Sequence, residues 1–453
     1  MRLRNEMALP IRFKHPMWPY HPDLLATPVP RYTSFPTAAE FGPGVGANDA
    51  DHALRAVTGD VSLYVHIPFC EQICWYCGCN TGAANKAQRL HAYLDALHRE
   101  IAITGARLAN HAVVRRIAFG GGSPNAIAPT DFVRLVDALT LHMALDRPVW
   151  SIELDPRTLT ADWGPVLGGV GVSHASMGVQ TFAPELQAAI GRVQPDSLIV
   201  AATELLRRAG ISSLNFDLMY GLPGQTMDHL ESTLARTIEL GADRIALFGY
   251  AHVPHMLPRQ RRIDASALPG QQERFAMAQY GYDRLTAAGY VAIGFDHFAL
   301  PHDPMAVAAR ERRVRRNFQG FTDDQAPSLI GLGASSISCF PDLLVQNEKN
   351  AGRYRMLLSQ DVLPAQHGVR RGADDRMRGA VISELLCQGE VTVPPALLGE
   401  VMGRIAPFVE RGVAELDGNV LRVPPAGLPY ARTVAALFDP YRQDSLRRFS
   451  SAV

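Results

Sequence analysis

From about residue 61 the chain alternates short apolar runs with longer amphipathic stretches. The apolar runs are Val61–Ile67, Arg116–Gly120, Trp150–Leu154, Ala175–Val179, Ser213–Leu218 and Arg244–Phe248, and each has the length of a strand. Leu90–Leu108, Asp131–Leu145, Leu198–Ala209 and Met227–Leu240 lie between them and repeat their apolar positions with a 3.6-residue period, which suits helices. This alternation, about six times over, predicts parallel β/α units. The order of elements leaves open a doubly wound sheet and a full or partial barrel. Gly221-Leu222-Pro223-Gly224 reads as a strand-exit turn, the usual place for a site in an α/β protein. After residue 300 the rhythm weakens. Arg371–Gln388 and Pro395–Arg411 then read as helices, and Gly412–Val423 as a short hairpin turning at Asp417-Gly418. Residues 1–60 read as irregular, rich in Pro and Gly.

Composition narrows the class. The chain has 453 residues, of which 47% are hydrophobic and 19% charged, enough for a large core and for more than one domain. Lys+Arg and Asp+Glu are both 44, so the zero formal charge argues against a nucleic-acid or membrane-surface partner. The basic residues are nearly all Arg, with Lys only at Lys14, Lys86 and Lys349. No apolar run approaches the roughly 20 residues that cross a bilayer. The opening MRLRNEMALPIRFKHP lacks the apolar core of a secretory signal, so a cytoplasmic location is expected.

Four of the six cysteines crowd into Cys70–Cys79. In a reducing compartment such a cluster points to metal or redox work and not to disulfides. The spacing is C-x3-C-x2-C over Cys70, Cys74 and Cys77, with Cys79 after Gly78. Thiolates select iron–sulfur clusters, zinc or copper(I). Structural zinc wants a second ligand pair, and Cys339 and Cys387 are isolated. Three thiolates in one loop after a strand suit a cubane with one iron left without a protein ligand. Buried structural cysteines are the bland alternative, and a zinc-stabilised non-enzymatic binding module is a rival.

Other polar groups gather where the predicted strands end. Gly120-Gly121-Gly122-Ser123-Pro124 follows the second strand, and its glycines would let a ligand approach the backbone. Glu153 ends the third strand, Gln180 the fourth, Arg192 follows on the next helix, and Asp217 lies on the fifth strand. Gly331-Leu-Gly333-Ala-Ser-Ser336 lacks the third Gly and the acidic residue of a dinucleotide fingerprint. The run Arg310–Arg316 suits a solvated helix face or a set of carboxylate-binding guanidiniums. His66, His252 and His297 could donate protons, although such histidines more often serve as hydrogen-bonded scaffold.

The C-x3-C-x2-C motif, with Tyr76 before its third cysteine, resembles the radical S-adenosylmethionine signature. Together with Arg31-Tyr-Thr-Ser-Phe-Pro-Thr37, Gly78-Cys79, Asp296-His297-Phe298 and Asn317-Phe318-Gln319-Gly320, it resembles the bacterial oxygen-independent coproporphyrinogen III oxidases. The resemblance runs from about residue 29 to the C-terminus. It implies a partial (β/α)6 TIM-like barrel with an irregular N-terminal segment and a mainly helical C-terminal domain. The division expected is 1–60 packing over the active site, 61–300 as the catalytic β/α domain, 301–365 completing the site, and 366–453 as the helical domain. It implies a [4Fe–4S] cluster on Cys70, Cys74 and Cys77 and two molecules of S-adenosylmethionine. Tyr64, Gly121, Glu153 and Ile337 resemble the contacts of the first molecule. Tyr76, Gly122, Ser123, Gln180, Arg192, Asp217 and Ala251 resemble those of the second, with Ser123 where the family usually has Thr. The activity implied is oxidative decarboxylation of two propionates of coproporphyrinogen III to vinyl groups, by a monomer with an unidentified electron donor and acceptor. The alternative within the superfamily is a haem-trafficking protein; such relatives typically lack both Gly78-Cys79 and the Arg31–Thr37 segment, which this chain has.

Overall fold

The computed structural model describes residues 18–84, 87–108 and 111–442. Six parallel strands form its centre: β1 (Gly59–Ile67), β2 (Ala112–Gly121), β3 (Leu145–Leu154), β4 (Val172–Gln180), β5 (Ser213–Tyr220) and β6 (Arg244–Gly249). Each pairs with its successor in the chain. A doubly wound sheet would reverse direction part-way, so this order makes the domain a partial barrel. β1 shows why the runs become strands. Val61, Leu63, Val65 and Ile67 on one face are at most 1% exposed, while Ser62, Tyr64 and His66 on the other are also buried. A strand covered on both faces needs this apolar character.

Helices Ala87–Gly105, Pro129–His142, Trp163–Val170, Asp196–Arg208 and Met227–Glu239 make the crossovers. Their buried stripes, such as Leu90, Tyr93, Leu94, Leu97 and Ile101 on the first, belong to the same core as the strands. Thr226 shows how such a helix starts, accepting a hydrogen bond from the His229 N–H.

The sheet extends beyond the barrel at both ends to twelve strands. Ser328–Leu332 lies parallel to the free side of β1, and Ile337–Phe340, Leu343–Asn347 and Ala365–Arg370 follow as an antiparallel meander. At the far end His297–Ala299 runs antiparallel to β6 and pairs with Val291–Ile293. This is why the β/α rhythm fades after residue 300: hairpins replace crossovers. Helices Ala373–Gln388 and Pro395–Glu410 carry a three-stranded sheet of Glu390–Thr392, Glu415–Asp417 and Val420–Arg422. The hairpin turns at Asp417-Gly418 as expected, with Gly418 at φ 59°; Glu390–Thr392 is an additional strand.

The N-terminal segment is less irregular than its composition suggests, since Ala47–Ala56 is a helix, its start closed by Asp49 accepting from Gly46 N–H at 2.9 Å. Upstream of it, Trp18, Leu24, Leu25, Val29, Tyr32 and Phe35 are buried. Tyr32 donates to Asp439 at 2.9 Å and Tyr430 to Pro19 O at 2.6 Å, which ties the segment to the C-terminal end of the chain. Gly42 and Gly368 exchange two backbone hydrogen bonds of 2.9 Å, so the segment also pairs with the outermost strand of the meander.

Candidate active site

A cavity of about 530 Å³ opens among β2–β6 and the loop that follows β1. That loop carries Cys70, Cys74, Cys77 and Cys79 and is held from several sides. Ser123 N–H donates to Phe69 O at 2.7 Å, Trp75 N–H to Ile190 O at 3.1 Å, and the Gln260 amide to Tyr76 O at 3.0 Å.

The glycine turn after β2 makes room for the protein's own groups. A Cβ on Gly120 would lie 2.7 Å from the Glu153 carboxyl, one on Gly121 would lie 2.8 Å from the His66 ring, and one on Gly122 would lie 2.5 Å from Phe69 O. Gly121 also sits at φ 121°, which side chains disfavour. The glycines thus let Glu153, His66 and the cysteine loop come close to the turn's backbone.

Hydrogen-bond donors face the cysteine sulfurs. Thr81 Oγ1 donates to Cys70 Sγ at 3.2 Å, and Cys79 N–H to Cys77 Sγ at 3.4 Å. Arg157 and Arg192 each place an N–H 3.3 Å from Cys74 Sγ. Both guanidiniums share one carboxylate, Asp155, at 2.6 and 3.3 Å, and all three side chains are under 9% exposed. Burial alone would raise the Asp155 pKa; Arg157 and Arg192 outweigh it and hold the group below its usual value. Two buried cations on one anion leave a surplus positive charge behind Cys74. Donation from Cys79 pulls the Cys77 thiol down to about 6, whereas burial pushes Cys70 up to about 11.

Among the described residues no three His, Cys, Asp or Glu side chains close round a single metal ion. A cubane, with one thiolate per iron, does not require that closure. Three thiols on one cavity wall, with donors on their sulfurs and positive charge behind, fit a [4Fe–4S] cluster.

Two carboxylates face the same cavity. Glu153 accepts one hydrogen bond, from Gly121 N–H at 3.2 Å, and burial pushes its pKa up to about 7. Asp217 is also raised by burial, against donation from Ser176 at 3.0 Å and Asn215 at 2.8 Å. Each keeps acceptor capacity that a hydroxyl or ammonium could fill. Gln180, at φ 66°, adds an amide in a conformation that non-glycine residues rarely adopt.

The cavity thus brings together Cys70, Cys74, Cys77, Tyr76, Gly121, Gly122, Glu153, Gln180, Arg192, Asp217 and Ala251. Three expected residues do not line it. Tyr64 is buried on β1, 3.1 Å from His66 Nδ1; Ser123 donates to Asn125 at 2.6 Å; Ile337 lines a second cavity of about 320 Å³ with Cys339. Arg192 lines the cavity but spends its donors on Cys74, Asp155, Gln194 and Gly178 O. The pattern of residue types missed Asp155 and Arg157, although both stand within Glu153-Leu-Asp-Pro-Arg157. It also missed Thr81 and Gln260, which carry no signal until the loop is folded.

The basic run divides. Arg316 is half-buried, donates to Arg31 O at 2.8 Å and lies 4.2 Å from the Phe321 ring centre, whereas Arg313 makes a surface pair with Glu311. The histidines are held as scaffold: His297 on Asp296 at 2.6 Å, His252 on Tyr250 at 2.9 Å, His66 on Tyr64. Arg31 reaches the cavity from the N-terminal segment, its guanidinium 4.8 Å from the Phe248 ring centre.

Comparison with known proteins agrees with this geometry. Residues 64–237 match the model of the Radical SAM superfamily. An oxygen-independent coproporphyrinogen III oxidase from Bradyrhizobium diazoefficiens is 40% identical over 94% of this chain and 97% of its own length. One from Escherichia coli is 35% identical over 92% of this chain and 94% of its own. A solved structure of the Escherichia coli coproporphyrinogen III oxidase, described as a radical SAM enzyme, superposes with a TM-score of 0.87 at 34% identity, covering 94% of this chain and 99% of that one. With near-complete coverage at this identity, and with the cysteine loop, glycine turn and cavity carboxylates in one place, the chain belongs to the oxygen-independent coproporphyrinogen III oxidases of the radical SAM superfamily.

Proposed function

We infer that this chain converts coproporphyrinogen III to protoporphyrinogen IX without oxygen, turning two propionate side chains into vinyl groups with loss of carbon dioxide. The observation that carries the reading is the single cavity onto which the three cysteines of the motif and the carboxylates of Glu153 and Asp217 all open. When bound, a [4Fe–4S] cluster and S-adenosylmethionine supply one-electron cleavage of a sulfonium, and with it a carbon radical able to take a hydrogen atom.

The chain's own residues do the positioning. Cys70, Cys74 and Cys77 hold the cluster, while Cys79, Cys339 and Cys387 do not. Arg157 and Arg192 balance thiolate charge and keep Cys74 oriented. Gly121 and Glu153 receive the first S-adenosylmethionine, Glu153 through a ribose hydroxyl or ammonium, with Tyr64 and Ile337 behind. Tyr76, Gly122, Gln180, Asp217 and Ala251 receive the second, with Ser123 and Arg192 bracing that wall. The strand ends and the cysteine loop wall the cavity and limit the access of water to the reacting carbon. Among the described residues no helix is long and apolar enough to cross a membrane, and we place the enzyme in the cytoplasm as a monomer. The haem-trafficking alternative is set aside, because relatives that span nearly the whole chain are oxidases by name.

An anaerobic assay of the reconstituted protein with coproporphyrinogen III tests the reading. Vinyl product and 5′-deoxyadenosine should form together. Deoxyadenosine without vinyl product would overturn the substrate assignment.

A further inference from the structure

Just outside the cysteine loop, one short turn concentrates positive charge that the site above does not use. Pro258–Arg262 carries Arg259, Arg261 and Arg262. Among the described residues none of the three has a carboxylate at ion-pair distance, and Arg261 and Arg262 are exposed. The turn is fixed to the loop by Gln260, 1% exposed, whose amide donates to Tyr76 O at 3.0 Å and Ala251 O at 3.1 Å and accepts from Val253 N–H at 2.6 Å. Arg262 lies 5.9 Å from the centre of the Trp75 ring, and Trp75 stands in the loop between Cys74 and Tyr76.

Trp75, Arg261 and Arg262 do not line the cavity that Cys74, Tyr76 and Cys77 line, whereas Arg259 is half-buried with its Nη1 shut from solvent. The Trp75 ring rests on Gly191, where an added Cβ would be 2.7 Å away. Two apolar side chains near it in the chain are in the open: Val193, two residues after Gly191, is 63% exposed, and Met256, two residues before the turn, is 61% exposed. An aromatic centre with apolar neighbours and a guanidinium rim has the make-up of a protein-binding surface.

We propose that this surface docks an acidic one-electron carrier protein of the flavin class. The inference rests on the reading that the loop holds a reducible cluster. Each S-adenosylmethionine cleaved consumes one electron, which the carrier loses as it returns to its oxidised form. Cofactors and substrate fill the cavity side of the loop, so the electron must enter from the Trp75 side. Carboxylates on the carrier match the exposed guanidiniums of Arg261 and Arg262, which steer encounter and fix orientation. The turn's other candidate ligand is the substrate, whose carboxylates carry the same charge.

The test uses the full chain with Arg261→Glu and Arg262→Glu together, and a bacterial flavodoxin as probe. Oxidised flavodoxin is titrated by its flavin fluorescence, and 5′-deoxyadenosine formation is followed with either reduced flavodoxin or dithionite as reductant. We expect flavodoxin to bind the variant at least about tenfold more weakly and the wild type to lose affinity with added salt. Dithionite-driven rates should be equal in the two proteins. A milder pair, Arg261→Gln with Met256→Gln, should weaken binding about threefold even if the double reversal disturbs the fold. Unchanged affinity in both variants would overturn the proposal. So would unchanged flavodoxin affinity with a raised KM for coproporphyrinogen III, which would give the arginines to the substrate. The wild-type dithionite arm tests the functional reading by itself, so failure there is not confused with failure of docking.

Discussion

Glu100 is buried and Glu153 half-buried, and desolvation pushes each from an ordinary 4.5 up to about 7. Their surroundings differ. Glu100, on the helix Ala87–Gly105, is 2% exposed and accepts from Gly333 N–H at 2.6 Å, Asn347 at 2.7 Å and the Tyr354 hydroxyl. It joins the first crossover helix to the strand beside β1 and to the helix Ala351–Ser359. Glu153 has one backbone donor and opens to the cavity. Equal shifts therefore conceal opposite situations. A carboxylate whose lone pairs are filled by its own fold is a brace; one left with open lone pairs on a cavity wall is prepared for a ligand.

The contrast is sharpest for Glu153→Gln. Deoxyadenosine formation should fall about a hundredfold, roughly 3 kcal/mol of lost positioning, with no loss of melting temperature. Retained turnover with a lower melting temperature would make Glu153 a second brace. Glu100→Ala should do the reverse: denaturant unfolding should show about 2–3 kcal/mol of lost stability, because three buried donors lose their acceptor. Its rate per cluster should stay near that of the wild type. Asp217, with two internal donors and a cavity face, is intermediate. Asp217→Asn should cost about tenfold in deoxyadenosine formation and about 1 kcal/mol or less in stability.

The smallest effect is on pH dependence. With folded values near 7 and an unfolded value near 4.5, the native state holds extra protons between those limits. Stability from both groups is full below about 4.5 and declines as pH rises to about 7. Glu100→Gln, which cannot titrate, should flatten part of that decline in denaturant midpoints measured across the range. An unchanged slope would mean that Glu100 does not titrate there.

Sequence patterns reveal the barrel because each strand is a self-contained apolar run with a periodic helix behind it. They reveal the cysteine loop because its spacing is local. The helix Ala47–Ala56 escapes the pattern since only Ala50 and Leu54 of its ten residues are buried. Strands such as Ile337–Phe340 are too short to declare a period, and they exist through pairing with distant chain. Long range also decides the charges. Arg192 and Asp217 could have formed an internal ion pair, yet Arg192 turns to Asp155, 37 residues away, and leaves Asp217 to Ser176 and Asn215. No spacing rule distinguishes those outcomes.

The pairing of Gly42 with Gly368 has a consequence for handling the protein. A twelve-stranded sheet has two exposed ends at which chains can join into aggregates. One end is blunted by Val291–Ile293, only three residues long. The other, Ala365–Arg370, is partly covered by Gly42, and Gly368 is crowded enough that an added Cβ would sit on Leu344 O. A chain shortened past residue 42 would thus lose Arg31 from the cavity and uncover an adhesive strand at once. Its activity would have to be judged on monomeric material, separated by size before assay, or insolubility would be mistaken for a catalytic defect.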